Sequence, residues 1–169
     1  MTGRRAIVLA DGGTPTRAGL DAAWPGWSDG VELVVAADGG ARLAAGLGLR
    51  VDAWVGDGDS VDPEALDELR RAGVRIRRFP RDKDSSDTEL ALVEALGAGA
   101  TDVTILGALG GPRLDHELAN LALLATRPRP ASRCACSTTG RASACSPGRC
   151  RPVARRAWTW PAGSATSCR

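Results

Sequence analysis

The sequence predicts an α/β domain: a doubly wound, mostly parallel sheet with helices on both faces. Three observations lead there. Up to about residue 126, short apolar runs alternate with stretches of helical period. Polar or glycine-rich clusters follow the apolar runs, and the carboxyl ends of parallel strands are where such sheets bind ligands. The composition, 43% hydrophobic and 25% charged, is that of an ordinary globular domain.

Ala6-Ile7-Val8-Leu9 is the first strand run, closed by Asp11-Gly12-Gly13. A short helix is expected over 16–23. Val31-Glu32-Leu33-Val34-Val35 is the second strand, closed by Asp38-Gly39-Gly40. The Ala-Asp-Gly-Gly string thus occurs at 10–13 and again at 37–40, which suggests one turn solution used twice. A helix over 41–47 ends at Gly48. Ala53-Trp54-Val55 is a buried third strand. Asp62-Pro63-Glu64 opens the next helix with an N-cap, a first-turn proline and an acid near the positive dipole end. That helix stops at Gly73. Residues 74–79 alternate apolar and basic, so this strand has one exposed face, as near an edge. Ser86-Asp87-Thr88-Glu89 fits a capping box before a helix over 90–96. Val103-Thr104-Ile105-Leu106 is the fifth strand, and 114–125 a helix with Leu114, Leu118, Leu121 and Leu124 on one face.

Residues 127–169 differ in kind. The last 39 residues hold seven Arg and all five Cys, but no Lys, acid, Leu, Ile or Phe. They show no helical or strand period. Two explanations stay open: a disordered basic tail, or translation out of frame in a GC-rich gene. The cysteines lack paired C-x-x-C spacing, and the single histidine, His116, lies far upstream, so neither zinc nor a disulfide framework is expected. The domain division is therefore 1–126 and 127–169. Net charge is +2, which argues for no nucleic-acid partner. No apolar run approaches a membrane span or a secretory signal, so a cytoplasmic location is expected.

Three clusters carry candidate chemistry. Asp57 and Asp59, in Gly56-Asp57-Gly58-Asp59-Ser60, are two carboxylates at i and i+2. On an extended backbone they point to one side and suit Mg2+; the plain alternative is an acidic, helix-capping turn. Asp84 and Asp87, at i and i+3, share a face of a first helical turn beside Lys83, a phosphate-binding point charge. The alternative there is dipole compensation. Gly107, Gly110 and Gly111 followed by Arg113 offer backbone N–H groups and a guanidinium to an anion. Asp115 can hold a hydroxyl, a cationic ring or a metal-bound water. His116 and Asn120 read equally well as helix-face and packing residues. Neither the dinucleotide fingerprint nor a P-loop is present, which disfavours nicotinamide enzymes and P-loop ATPases.

In order and spacing, four motifs together resemble the thiamine pyrophosphokinase family. They are Ala37-Asp38-Gly39-Gly40, Gly56-Asp57-Gly58-Asp59-Ser60, Lys83-Asp84-Ser85-Ser86-Asp87-Thr88-Glu89-Leu90-Ala91 and Gly107-Ala108-Leu109-Gly110-Gly111-Pro112-Arg113-Leu114-Asp115-His116. The resemblance covers about residues 4–126. It implies transfer of diphosphate from ATP to the hydroxyl of thiamine, with release of AMP. It implies that Asp57, Asp59, Asp84 and Asp87 gather Mg2+ around the ATP phosphates, with Asp57, Asp59 and Arg113 catalytic. Lys83 and Arg113 then neutralise phosphate charge, Asp38, Gly39, Gly40, Gly110 and Gly111 lie along the nucleotide, and Asp115 sits near the substrate. A homodimer is compatible with it. Ser86 stands where the family typically has Thr, and Pro112 interrupts the Gly-Gly-Arg element. The family's second, all-β domain is replaced here by the 39-residue tail, so an inactive, truncated enzyme is one expectation. The alternatives are a diphosphokinase for a pterin alcohol and a nucleotide-binding fragment without turnover.

Overall fold

A computed structural model describes residues 3–125 and the backbone of 134–138 and 141–143. Seven strands form one sheet: β1 (Arg4–Leu9), β2 (Val31–Ala37), β3 (Ala53–Gly56), β4 (Arg75–Arg78), β5 (Ala100–Leu106), β6 (Cys134–Thr138) and β7 (Arg141–Ser143). Five helices are interleaved: α1 (Arg17–Ala23), α2 (Arg42–Leu47), α3 (Pro63–Arg71), α4 (Asp87–Gly97) and α5 (Leu114–Leu123). The strand order is β4-β3-β2-β1-β5-β6-β7. All neighbours pair in parallel except β6 and β7. The direction of winding reverses between β1 and β5, which opens a crevice at their carboxyl ends.

The strands read as near-continuous apolar runs because both faces are covered. Alternate residues go to opposite sides. Val8, Val35, Val55 and Ile105 pack with Ala91 and Ala95 of α4. Ile7, Leu9, Val34 and Trp54 pack with Leu20 of α1, Leu43 and Leu47 of α2 and Leu66 of α3. Helices therefore lie on both faces, three on one and α4 on the other. Helix α5 lies beside α4.

Local signals set the helix ends. The side chains of Thr16, Asp62 and Ser86 accept N–H bonds as N-caps of α1, α3 and α4. Gly48 ends α2 in the left-handed conformation, at φ 66°. Strand β4 is an edge of the sheet with its arginines exposed, as its alternation predicts. Arg75 and Arg77 reach across to Glu94 of α4.

Four features depart from the sequence reading. The two Ala-Asp-Gly-Gly strings fold differently. The second makes a 3-10 turn over Asp38–Ala41. The first zips onto the β5 exit, with Gly12 N–H donating to Gly107 and Gly13 N–H to Leu109. Helix α5 buries Asn120 and leaves Leu114, Leu118 and Leu121 exposed, at 69%, 58% and 42%. Helix α4 starts at Asp87 rather than 90, because Ser86 caps it. Finally, β6 and β7 lie beyond residue 126, where no strand period is legible; β6 extends the sheet beside β5. The remainder of 127–169, including the question of disorder or frame, lies outside the described residues. Among the described residues, no helix is long and apolar enough to cross a membrane.

Candidate functional site

A cleft of about 530 Å³ opens at the carboxyl ends of β1, β2, β3 and β5. Its walls include Asp11, Asp38, Asp57, Asp59, Lys83, Asp87, Gly111 and Arg113. The three polar clusters that sequence places at strand exits thus share one rim.

Asp38 is the pivot. It is 7% exposed and sits at φ 44°, the one non-glycine residue at positive φ among those described. Such a conformation costs energy unless its surroundings fix it. The indole of Trp54, fully buried under the sheet, donates to the Asp38 carbonyl at 2.9 Å. This bond fixes the turn and delivers the carboxylate into the cleft. Gly39 and Gly40 serve the same turn: a Cβ on Gly40 would collide with the Leu9 carbonyl, and one on Gly39 with the Asp11 carboxylate. Both glycines are buried behind the site and do not line it.

Asp57 and Asp59 follow β3. They converge, but not through strand alternation: Gly58, at φ 82°, turns the chain between them. Asp59 N–H donates to Asp57 Oδ1 at 3.0 Å, and the Ser60 hydroxyl to Asp59 Oδ1 at 3.1 Å. Oxygens of Asp38, Asp57 and Asp59 lie within 4.8 Å of one another. Lys83 Nζ stands 3.6 Å from Asp57 and 3.0 Å from Asp87, largely shielded from solvent. Asp84 stands outside this group. It is exposed, precedes α4 instead of sharing a helical face with Asp87, and does not line the cleft.

The electrostatics follow from burial and crowding. Burial raises the Asp38 carboxyl above its ordinary value, and the charges of Asp87, Asp57 and Asp59 raise it further against a Ser60 hydrogen bond. Asp57 is held low, chiefly by the Asp59 N–H, with help from Lys83. Burial pulls Lys83 down, but Asp87 and Asp57 overcompensate and leave it raised. Asp38 Oδ1 is buried without a hydrogen-bond partner. A buried carboxyl with an unsatisfied oxygen, beside two further carboxylates, fits a hard divalent cation.

The opposite wall comes from the β5 exit and α5. Arg113 precedes α5 and forms a two-point ion pair with Asp115, its Nε donating at 3.2 Å. That pair holds the exposed Asp115 carboxyl at about 2 and raises Arg113. Arg113 lines the cleft; Asp115 and Gly110 do not. The Gly110 N–H expected to meet an anion donates instead to Glu117 at 2.8 Å. Asn120, buried, donates its amide to the Ala108 carbonyl at 2.8 Å and also borders the cleft. His116 lies on the cleft wall.

Sequence reasoning left out Asp11, Arg42 and Arg81. Asp11 lines the cleft and is held by Arg42 at 2.6 Å. Arg81 lines the cleft and contacts Asp59 at 3.4 Å. The position of Asp11 at a strand exit was a legible signal. Arg81 carries none, because nothing in a Pro-Arg-Asp sequence says which way the arginine turns.

Comparisons with known proteins agree with this architecture. A family model described as "Thiamin pyrophosphokinase, catalytic domain" matches residues 27–134. The thiamine pyrophosphokinase structure from Bacillus subtilis is 24% identical, with a TM-score of 0.63, covering 79% of this chain and 60% of that one. A thiamin pyrophosphokinase family protein from Enterococcus faecalis is 30% identical, with a TM-score of 0.58, covering 78% of this chain and 60% of that one. The yeast enzyme, 14% identical, shares the fold at a TM-score of 0.63, covering 81% of this chain and 59% of that one. This chain therefore spans about 60% of the length of these structures. None of the curated proteins matches it. Since the family model matches well over half of the sequence, the chain belongs to the family of thiamin pyrophosphokinase catalytic domains.

Proposed function

We propose that this chain binds Mg2+ and ATP in the cleft and transfers diphosphate to the hydroxyl of thiamine, releasing AMP. The observation that carries this reading is the convergence of Asp38, Asp57 and Asp59, one of them with a buried, unsatisfied oxygen, with Lys83 beside them. Three carboxylates and an ammonium at a parallel-sheet rim suit a triphosphate that brings its own divalent ion.

In this reading, Asp38, Asp57 and Asp59 hold the ion, and Asp87 keeps Lys83 charged and aimed at the cleft. An ion held by these residues would supply charge neutralisation to the phosphates. Lys83 adds a fixed positive charge, and Arg113 leaves Asp115 to grip a phosphate at two points. The rest is positioning of the hydroxyl in line with the β-phosphorus. One carboxylate at the β3 exit, Asp57 or Asp59, accepts the hydroxyl proton as it leaves.

Incubation with Mg2+, ATP and thiamine, followed by chromatography for AMP and thiamine diphosphate, tests the reading. Both products are expected, and neither without Mg2+. A second reading, nucleotide binding without turnover, draws on the chain spanning about 60% of its structural relatives. Calorimetric ATP binding with no AMP release selects it.

A further inference from the structure

The cations of the cleft are held very differently. Lys83 is shielded, 14% exposed, and contacts two carboxylates. Arg113 is tied to Asp115, outside the carboxylate group. Arg81 contacts a member of that group directly, Asp59 at 3.4 Å, through a side chain 83% exposed. It is thus the loosely held cation on a carboxylate that a divalent ion needs. Burial gives Asp38 no such partner for its Oδ1.

We propose that Arg81 is a positioning residue with two alternating partners. Without metal it sits on Asp59 and offsets the repulsion among Asp38, Asp57 and Asp59. A divalent ion at those carboxylates displaces it, and the freed guanidinium, still on the cleft wall, takes a phosphate of the incoming nucleotide. The proposal rests on the cation reading given above. It follows from charge and mobility. A dication and a guanidinium compete for one carboxylate, and the ion has two further ligands within 4.8 Å. The exposed arginine has little packing to lose on leaving. Its planar fork then matches phosphate oxygens at two points. Metal and nucleotide are thereby coupled: Arg81 weakens binding of the ion alone and strengthens binding of the nucleotide that follows.

The test measures Mn2+ affinity of the nucleotide-free protein by electron paramagnetic resonance, and ATP affinity at saturating Mn2+ by calorimetry. The proteins are wild type, Arg81→Gln and Arg81→Lys. Arg81→Gln is expected to bind Mn2+ about threefold more tightly and ATP about tenfold more weakly. Arg81→Lys keeps the charge but not the fork, so its Mn2+ affinity stays near wild type while ATP affinity still falls. Unchanged or weaker Mn2+ binding by Arg81→Gln overturns the proposal while leaving the cation site standing. Tighter Mn2+ binding with unaltered ATP affinity overturns the second half, the transfer to phosphate. Absence of Mn2+ binding in wild type and Arg81→Gln alike removes the cation reading, and the proposal with it.

Discussion

The two walls of the cleft are built on different principles. On the β2–β3–α4 wall, the charges of Asp38 and Lys83 are shielded and held by the fold. Asp38 is pinned through Trp54, and Lys83 is locked between Asp57 and Asp87. Helix α4 behind it packs Ala91 and Ala95 at 0% exposure against the sheet. On the β5–α5 wall, charges are exposed and satisfy one another: Arg113 with Asp115, Glu117 with the Gly110 N–H. Helix α5 behind it leaves three leucines to solvent. The first wall is preorganised for a ligand and carries the electrostatic cost of waiting for it. The second holds its charges in local pairs, which a ligand must first open.

The strongest way to break this contrast is at the first wall. Asp57→Asn and Asp59→Asn are each expected to lower Mg2+-dependent AMP release by about a hundredfold or more. The melting temperature should hardly change, since neither carboxylate supports the core. Retained turnover in either variant removes the metal assignment.

Packing behind the walls gives the next largest effect. Ala95→Leu forces methylenes into a filled face and should cost about 1–3 kcal/mol in denaturant unfolding. Leu118→Ser on α5 should stay within about 0.5 kcal/mol. Equal losses would mean that the two helices are equally engaged.

Asp38→Asn sharpens the idea of a site under electrostatic load. Asparagine keeps the oxygen and tolerates positive φ. Because the folded-state carboxyl lies above its ordinary 3.8, ionisation costs stability at neutral pH. That cost is relieved as pH falls through the raised value. The variant should therefore melt about 2–5 °C higher than wild type without metal, and lose the rise that Mg2+ gives wild type.

The smallest effect concerns the second wall. Asp115 titrates at about 2 in the fold. Its contribution is present above the ordinary carboxylate value and is lost as pH falls toward 2. Being exposed, it should also fade with salt. Arg113→Ala should return Asp115 to the ordinary range in a carbon NMR titration, with little change in melting.

Much of the architecture was legible in the sequence. Apolar runs of strand length, the N-caps at Asp62 and Ser86 and the glycine at 48 fix elements through local chemistry, and local chemistry is written in neighbouring residues. The clusters at strand exits likewise placed Asp57, Asp59, Lys83 and Asp87 at one rim, because a parallel sheet leaves few other places for them. Other features needed the assembled chain. The hydrogen bond from Trp54 to the Asp38 carbonyl spans 16 residues, and it helps hold the turn that carries Asp38 beside the other carboxylates. Arg81 enters because β4 ends one strand away from Asp59. The sequence determines which segments become strands and helices and which chemistry they bring, since those depend on nearest neighbours. Which carboxylates share a cation, and which cation guards them, is decided by distances across the sheet, and no local pattern encodes those.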